Sequence, residues 1–525
     1  MEEGPRKKQK LQSDAMEVHS LLEKHCKGTL SRLIEPLFSI HCCSRCVLRY
    51  LGVKDFKIYK NSVETLETVL KSLVEKETSE KQEDSKEEIV EKKTCVSCLG
   101  TLQYADQDLF ISHIIQKVKE ENYEAKNFTL NVTVPSSLLV RTHAVFVYIS
   151  NILKELKSPI AYTLDDIADI KETFKLVLCW EIARITEMEL DFHSPLKITV
   201  VTEHPETEND HIFLTQISSA NLNIRKVYER GQCKFIGASR TNIATALRSV
   251  SNEEFMRLGK CPPELVDNTA TIQTIEMLHE PIHIGGRYFK LARGISQTPW
   301  VINNRRMTDN SVSESIGDIL KPKVLADDYK FVSAGREDAD VRMLGTGRPF
   351  YLEFLNPRRI TFTPEEILEF ENAVNDSNSD VKVKEMQTIQ PDQTSIIKEG
   401  EETKTKSYSC LIWTSKEVST ELLQLANQYS DNAFVIHQRT PIRVLHRRAQ
   451  MVRDKTIHTL CAEKLGDHFL RLKLKTEAGT YIKEFVHGDL GRTFPNFGSI
   501  VGCTADLLAL DVDEVDLPWP PVRAD

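Results

Sequence analysis

Several features that would assign a chain quickly to a class are missing from this sequence of 525 residues. It has no run of about 18 or more apolar residues, so we propose no transmembrane helix. The N-terminus, MEEGPRKKQK, has no apolar segment behind its charges and does not resemble a secretory signal. A glycine-rich strand–turn–helix motif and a phosphate-binding loop with a catalytic cysteine are also missing, which argues against methyltransferases and thiolation enzymes. No repeat of solenoid period is visible.

The length predicts two or three domains, and acidic residues outnumber basic ones 77 to 68. The net charge of −9 speaks mildly against nucleic-acid binding, but local patches decide electrostatic attraction. Two tracts are strongly basic: Arg287 to Arg306 has five basic residues and no acid, and His437 to Lys455 has six Arg or Lys and the single acid Asp454. Candidate phosphate contacts in these tracts are Arg287, Lys290, Arg293, Arg439, Arg443, Arg447 and Arg448.

The chain divides by texture near residue 280. Residues 1–280 show helical periodicity at the start and then alternating helix and strand patterns, which predicts an α/β domain with a helical, cysteine-bearing start. Residues 76–93, KETSEKQEDSKEEIVEKK, predict a flexible charged insertion, with partial helix as the alternative. Residues 281–525 hold strand-like runs with fewer helices, which predicts an α+β domain around a mostly antiparallel mixed sheet.

Twelve cysteines in a chain of this length favour thiols or metal ligands over a disulfide framework. Two Cys-x-x-Cys motifs, Cys43/Cys46 and Cys95/Cys98, supply the four thiolates of a closed structural zinc site. The 48 residues between the motifs exceed the usual spacing, and Cys42 is an alternative to Cys43. A redox pair and unrelated buried cysteines are the competing interpretations.

The segment SAGREDADVRMLGTGRPF holds two acids, Asp338 and Asp340, among arginines and glycines. As a pair they suit glycosidic-bond chemistry, but the flanking Arg336 and Arg342 favour ionised carboxylates over a protonated general acid. The sequence therefore predicts one ionised Asp that acts as a base or nucleophile. A loop held by Asp–Arg pairs is the structural alternative, and a metal site is disfavoured because arginines compete for the acids.

Two later segments add pocket candidates. In GTYIKEF, a strand would place Tyr481 and Lys483 on one face and Ile482 on the other. In KTKSYSCLIW, Tyr408 follows a basic stretch at a predicted strand start. An aromatic ring beside a carboxylate in a basic groove is what a flipped-out nucleobase requires, whereas a lone strand tyrosine is more often packing.

These segments together resemble the archaeal and eukaryotic family of tRNA pseudouridine synthases that act on uridines 54 and 55 of the TΨC arm. The matching stretches are GREDADVRMLGTGRPF, KTKSYSCLIW, RTPIRVLHRR and GTYIKEFVHGDLGRT. The cysteine motifs and HPETENDHIF fit the family's N-terminal zinc-containing, THUMP-type RNA-binding module. The resemblance covers nearly the whole chain and implies an isomerase with a pseudouridine-synthase core.

The resemblance also implies roles for single residues. Asp338 matches the catalytic Asp, Tyr408 the tyrosine that stacks on the target base, and Ile482 the apolar pocket residue. Lys483 stands where most synthases outside this family carry an Arg paired with the catalytic Asp. The role of Arg336 follows from its charge instead, because a flanking cation helps to keep the catalytic Asp ionised. Asp340 is then structural, and we expect it to pair with Arg342 or Arg348.

The implied reaction moves uracil from an N1 to a C5 linkage and needs no cofactor for its chemistry, so any zinc is structural. The expected partner is tRNA, with other structured small RNAs as further candidates, and no membrane. We expect a monomer. The basic segment RKKQK is compatible with nuclear import or with a solvated tail, so nucleus and cytoplasm both fit. The main rival is a non-catalytic RNA-binding scaffold.

Overall fold

The computed structural model of this chain describes residues 18–23, 28–75, 93–222, 224–229, 232–236 and 239–521. It forms two units, Met1–Leu278 and His279–Asp525, and the sequence placed the domain boundary after residue 280. The basic segment at residues 6–10 and nearly all of the charged insertion at 76–93 lie outside the described residues. Among the described residues, no helix combines the length and apolar content that crossing a bilayer requires.

The first unit begins with helices packed around the cysteine motifs. Its α-helices are α1 (Ile34–Ser39), α2 (Ser44–Tyr50), α3 (Val63–Glu75), α4 (Ile111–Glu121), α5 (Ser137–Glu155), α6 (Ile170–Thr186), α7 (Arg240–Ser249) and α8 (Asn252–Leu258). Helix α6 starts where the Asp169 side chain accepts a hydrogen bond from the Glu172 backbone N–H, and that cap satisfies one free donor of the first turn. The predicted helical start is confirmed.

The strands of the first unit are β1 (Asn127–Thr133), β2 (Glu189–Leu190), β3 (Leu196–Glu203), β4 (Arg225–Glu229), β5 (Gln232–Ile236) and β6 (Thr271–His279). A four-stranded sheet has the order β2–β1–β3–β6, in which β1 runs parallel to both β2 and β3. Strands β4 and β5 form a separate antiparallel hairpin. The alternation in NFTLNVTVPSSLLV and LKITVVTEHP predicts strands, and β1 and β3 lie within these segments. The strand prediction is wrong for the end of the first segment, because α5 begins at Ser137.

The second unit is organised by one ten-stranded sheet. Its strands, together with the separate hairpin β8–β9, are β7 (Ile282–Lys290), β8 (Val301–Ile302), β9 (Arg305–Arg306), β10 (Asp328–Ser333), β11 (Val341–Leu355), β12 (Val381–Ile389), β13 (Lys406–Thr414), β14 (Phe434–Arg439), β15 (Val452–Gly466), β16 (Phe469–Thr476), β17 (Thr493–Phe494) and β18 (Ala505–Val515). The sheet has the order β12–β7–β11–β18–β13–β16–β15–β14–β17, and β10 pairs with β11. The β11–β18 pair is parallel and the other pairs are antiparallel, so the predicted α+β class with a mostly antiparallel mixed sheet is confirmed.

The helices of the second unit are α9 (Val312–Val324), α10 (Pro364–Ser377), α11 (Ser395–Thr403), α12 (Thr420–Asn427), α13 (Ile482–His487) and α14 (Phe497–Val501). In TPEEILEF, Thr363 before Pro364 and first-turn acids predicts a helix start. The structure confirms it, because Thr363 and Glu366 form a reciprocal capping box with Pro364 at the first helical position. The predicted strand through GTYI is wrong: β16 ends at Thr476, Tyr481 is the N-cap of α13, and Ile482 and Lys483 open the helix.

Candidate active site

The loop between β10 and β11 presents Asp338. Its backbone is held from below by the buried Lys290, whose ammonium donates to the carbonyl oxygens of Ile295 at 2.8 Å, Asp338 at 3.0 Å and Ala339 at 3.3 Å. The Asp338 main chain is fixed in this way, while its side chain is 47% exposed. A fixed backbone with an accessible carboxylate is suited to a reacting group.

A buried ion pair lies directly under this loop. Glu337 contacts Arg348 at 2.9 Å, with both side chains almost completely excluded from solvent. The Tyr288 hydroxyl donates to Glu337 at 2.9 Å, and burial raises the pKa of Tyr288 well above its usual value. Arg348 also donates to the Ala334 carbonyl at 2.8 Å, which ties the pair to the start of the loop. The sequence analysis missed this scaffold, although a charged residue inside the apolar run GRPFYLEF was a signal for it.

The loop turns above this scaffold at a position whose backbone conformation favours glycine. Gly335 has φ +93°, and a Cβ there would lie 2.9 Å from the Arg348 Nη1 atom and 2.8 Å from the Lys406 ammonium. A side chain at this position would meet both the left-handed backbone penalty and the cations beneath it. The glycine therefore lets the loop lie close to the buried ion pair.

Two cations contact the Asp338 carboxylate on the same oxygen. Lys483 Nζ lies 3.3 Å and Arg443 Nη1 lies 3.4 Å from Asp338 Oδ2. Lys483 also contacts both Asp340 oxygens, at 2.8 and 3.0 Å. Burial raises the pKa of Asp340, but the hydrogen bond and charge of Lys483 outweigh it and hold that pKa below its usual value.

The expected partners of Asp340 are therefore wrong. Arg342 pairs with Asp511 at 2.6 Å, and Arg348 pairs with Glu337. Strand β11 runs beside β18, which carries Asp511, so the partner of Arg342 comes from a strand far along the chain. Asp340 instead shares Lys483 with Asp338.

One cavity of about 1010 Å³ brings the predicted catalytic residues together. Asp338, Arg336, Tyr408, Ile482 and Lys483 all line it. The Tyr408 ring on β13 is half-buried, and its burial raises the pKa of Tyr408 to about 12, so the phenol is neutral at physiological pH. Ile482 is 4% exposed and forms an apolar part of the wall. Volume and lining suit one extruded nucleotide with its neighbouring phosphates.

The cavity lining is cationic although the whole chain is acidic. Seven lysines and arginines face three carboxylates among the lining residues: Arg336, Arg348, Lys406, Arg443, Arg447, Arg448 and Lys483 against Glu337, Asp338 and Asp340. Arg447 and Arg448 are exposed at this wall, and Arg439 is exposed at the end of β14. Such a local excess of positive charge attracts phosphate whatever the global net charge is.

Two predicted phosphate contacts are contradicted by the structure. Arg287 is 6% exposed, and its guanidinium donates to backbone carbonyls that include those of Leu517, Trp519 and Gly347. Lys290 is fully buried under the Asp338 loop. Both side chains donate to backbone carbonyls inside the second unit, so these cations stabilise the sheet and the loop.

Arg293 remains a predicted phosphate contact, although protein groups also engage it. Its side chain is only 33% exposed and contacts the Asp511 carboxylate at 2.6 Å and the carbonyls of Asp340 and Leu510. These three contacts engage the guanidinium, so Arg293 supports the Asp340 backbone.

The four cysteines of the two motifs converge in the first unit. The sulfur atoms of Cys43, Cys46, Cys95 and Cys98 all lie within 4.8 Å of one another and are buried, so they can hold a metal ion. Cys42 does not belong to this group of four. The Cys43 backbone N–H donates to Cys95 Sγ at 3.2 Å, and the buried Arg49 donates to Cys46 Sγ at 3.7 Å. Donors aimed at sulfur favour thiolates, which is the form that binds metal.

Comparisons with known proteins agree with this arrangement. The family model described as "Pus10, C-terminal" matches residues 283–516, and "Eukaryotic Pus10, N-terminal" matches residues 95–277. The "tRNA pseudouridine synthase Pus10" of Mus musculus is 36% identical, over 93% of this chain and 97% of that protein. The "Putative tRNA pseudouridine synthase Pus10" of Drosophila melanogaster is 31% identical over the same shares. An archaeal relative from Methanopyrus kandleri is 38% identical over 45% of this chain and 56% of its own length. The chain belongs to the Pus10 family of tRNA pseudouridine synthases.

Proposed function

We propose that this chain isomerises uridine to pseudouridine in the TΨC arm of tRNA, at position 54, position 55 or both. The observation that carries this proposal is the Asp338 carboxylate, which is open to a cationic cavity while Lys483 holds one of its oxygens at 3.3 Å. A single ionised carboxylate beside an aromatic ring is the arrangement that the reaction requires. Two carboxylates held apart for a protonated acid and a base are not formed here, because both acids share one lysine.

The substrate uridine enters the cavity by leaving the base stack of the RNA. Extrusion costs a few kcal/mol and is easiest for a loop nucleotide that is already weakly stacked. The Tyr408 ring offers a stacking face for the extruded uracil, and Ile482 supplies an apolar contact beside it. Arg447 and Arg448 hold flanking phosphates at the cavity wall.

The chemistry begins with the ionised Asp338, which attacks C1′ of the ribose or removes its 2′ proton. The glycosidic bond from C1′ to N1 breaks, and the uracil stays in the cavity and turns so that C5 faces C1′. As C5 bonds to C1′, the Asp338–C1′ ester bond breaks in the first route, or the 2′ proton returns from Asp338 to C2′ in the second. C5 then loses its proton and N1 gains one. Substrate and product are isomers, so the step has no net oxidation and consumes no water.

The cysteine group fits a structural zinc ion. Cys43 Sγ and Cys98 Sγ are 3.8 Å apart, which is close to the edge of about 3.8 Å expected for four sulfurs about 2.3 Å from zinc. All four ligand positions are taken by buried thiolates, which leaves no open position for a substrate. Zinc bound there would fix α2 against the Cys95–Cys98 turn. The surrounding first unit then acts as an RNA-binding, THUMP-type module of a monomeric enzyme.

The decisive experiment incubates unmodified transcript tRNA with the protein, without added cofactor, beside Asp338→Asn. Pseudouridine is mapped by carbodiimide-dependent primer-extension stops, and RNA affinity is measured for both proteins. We expect stops at position 54 or 55 with the wild type only, and equal binding by both. Tight binding without stops from either protein would instead support a non-catalytic scaffold and leave Asp338 a structural loop residue.

A further inference from the structure

Lys483 is an incomplete partner for the catalytic carboxylate. Its ammonium lies 2.8 and 3.0 Å from the two Asp340 oxygens but 3.3 Å from Asp338 Oδ2. The closer contacts are therefore with the neighbouring acid. An ammonium is also a point charge and lacks the planar fork that fixes the orientation of a carboxylate. These distances leave a place for a second group that holds Asp338.

Arg443 lies in the place where such a group is needed. Its Nη1 atom is 3.4 Å from Asp338 Oδ2, the same oxygen that Lys483 contacts. Its Nε atom donates to Glu484 Oε1 at 2.8 Å, so the guanidinium bridges the two carboxylates. The guanidinium also lies 5.9 Å from the centre of the Tyr481 ring, which adds a cation–π contact.

Glu484 has one evident role in this arrangement. It follows Lys483 in α13, and its side chain is 3% exposed. Among the described residues, Glu484 Oε2 is buried without a hydrogen-bond partner, so Arg443 is the cation that balances this charge. A buried carboxylate without such a partner is strongly unfavourable. Glu484 therefore keeps Arg443 at the cavity wall, and its own burial keeps it from touching RNA.

The backbone around Arg443 is also fixed. The Ile442 N–H donates to Asp489 Oδ2 at 3.1 Å, in the segment that follows α13. Arg447 and Arg448, four and five residues further on, are exposed at the same cavity, and neither forms an ion pair within the part of the chain that the structure describes. One short basic segment thus holds an arginine fixed by two carboxylates and two arginines for which the described residues show no ion pair.

We propose that Arg443, held by Glu484, is a positioning residue for the isomerisation. It fixes the Asp338 carboxylate through Oδ2 together with Lys483, so that Oδ1 faces the ribose of the extruded uridine. This inference rests on the proposed function and deepens it, because it moves Arg443 from phosphate binding to the orientation of the reacting group.

The test measures single-turnover rates with enzyme in saturating excess over transcript tRNA, together with RNA affinity at several salt concentrations. The variants are Arg443→Gln, Glu484→Gln and the double variant, with Arg447→Gln as the phosphate-contact comparison. Arg359→Gln is the matched control, because it breaks an Arg–Glu pair of 2.6 Å that lies outside the residues lining the cavity. Thermal melting shows that each variant is folded.

We expect Arg443→Gln to slow the single-turnover rate by roughly 10- to 100-fold, the order of loss for a reacting group that is misplaced by about 1 Å. The salt slope, which is the slope of log RNA affinity against log salt concentration, should stay at the wild-type value for Arg443→Gln. Arg447→Gln should reduce that slope by about 1. Glu484→Gln should also slow the reaction, and the double variant should be no slower than Arg443→Gln. Arg359→Gln should react at the wild-type rate.

Three results would overturn the inference. A double variant that regains the wild-type rate would mean that Arg443 only neutralises Glu484. If Arg443→Gln reacts at the wild-type rate but has a lower salt slope, Arg443 is a phosphate contact. If Glu484→Gln reacts at the wild-type rate, Glu484 does not hold Arg443 in place for the reaction. If the wild type makes no pseudouridine, the proposed function is refuted and this inference falls with it. That result is distinguishable from the other three, in which the wild type is active and only the variants behave differently from expectation.

Discussion

The cysteine group of the first unit and the Asp338 cavity of the second unit are both clusters of ionisable side chains, but they are built in opposite ways. The four thiols are buried and lie within 4.8 Å of one another. The Asp338 carboxylate is 47% exposed at the wall of a cavity of about 1010 Å³. The four thiols contact one another and are closed to solvent, whereas the second cluster leaves the Asp338 carboxylate accessible.

The difference shows how the chain separates stability from chemistry. In the cysteine group, backbone and Arg49 donors point at sulfur, and every ligand position can be filled by the protein. In the second unit, Glu337 and Arg348 pair out of contact with water beneath the Asp338 loop, and they form the lower layer of the cavity wall. Asp338 and its exposed neighbours form the upper layer. The upper layer can then present Asp338 to a substrate without loss of rigidity. Substitutions in the cysteine group or in the Glu337–Arg348 pair should therefore affect folding, and substitution of the exposed Asp338 should affect the reaction.

Metal removal should give the largest effect. Chelation, or Cys98→Ala, should lower the unfolding free energy of the first unit by up to about 10 kcal/mol, because the metal-binding free energy becomes folding free energy. Calorimetry of the full chain and metal content per chain check this. Cys42→Ala is the matched control, since Cys42 is also buried but lies outside the group of four. If the transition of the chelated protein is unchanged, the closed site is not a stabilising site.

Substitutions of Asp338 and Asp340 should lower the rate of pseudouridine formation to very different extents. Asp338→Asn should lower the rate of pseudouridine formation by about 10⁴-fold or more, the order seen when a directly reacting group is removed. Asp340→Asn should cost less than about tenfold, because Lys483 then pairs with Asp338 alone. Single-turnover assays on transcript tRNA measure both. Equal losses would show that the pair acts as one unit and would end the distinction between a reacting and a supporting acid.

Local motifs made much of this arrangement predictable. The Cys-x-x-Cys pairs and the segment around Asp338 carry their chemistry within a few residues, so their composition was enough to select them. The helix start at Thr363 was predictable for the same reason, because a capping box is a local pattern. The mostly antiparallel sheet followed from strand-like runs with few helices between them.

Partner choice was not predictable, because it depends on contacts between distant segments. Asp340 pairs with Lys483, 143 residues later, only because α13 is brought beside the β10–β11 loop. That helix begins at Ile482 since the Gln438 side chain donates to and accepts from the Tyr481 backbone, at 3.0 and 2.9 Å. Tertiary contact thus overrides the strand propensity of Tyr481 and Ile482. Arg287 was misassigned because alternation does not reveal which strand face is covered.

The buried ion pair tests whether the lower layer of the cavity serves stability. Glu337→Gln should lower the unfolding free energy of the second unit by about 3–5 kcal/mol, because Arg348 would be left buried and unpaired. Glu353→Gln, which removes the more exposed pair with Lys330 at 3.2 Å, should cost about 0–1 kcal/mol. Denaturant titration compares the two. A small effect at Glu337 would mean that the loop above does not depend on this pair.

The aromatic wall should respond to loss of its ring but not to loss of its hydroxyl. Tyr408→Ala should lower kcat/KM on tRNA by roughly 10- to 100-fold, since base–aromatic stacking contributes about 1–3 kcal/mol. Tyr408→Phe keeps the stacking face and should stay within a few-fold of the wild type. Steady-state kinetics on transcript tRNA check the pair of variants. If Phe is as damaging as Ala, the hydroxyl takes part in the reaction and the stacking role is incomplete.

The smallest effect should come from the exposed arginines, and it should appear in binding. Arg447→Ala should reduce the slope of log affinity against log salt by about 1, and Arg448→Ala should do the same, because each loses one phosphate contact. Arg287→Ala should leave this slope unchanged and instead destabilise the second unit, since the Arg287 guanidinium is bonded to buried carbonyls. Filter binding at four salt concentrations, with melting curves, separates the two behaviours. If the slope falls for Arg287→Ala but not for Arg447→Ala, then Arg287 is the phosphate contact and Arg447 is not.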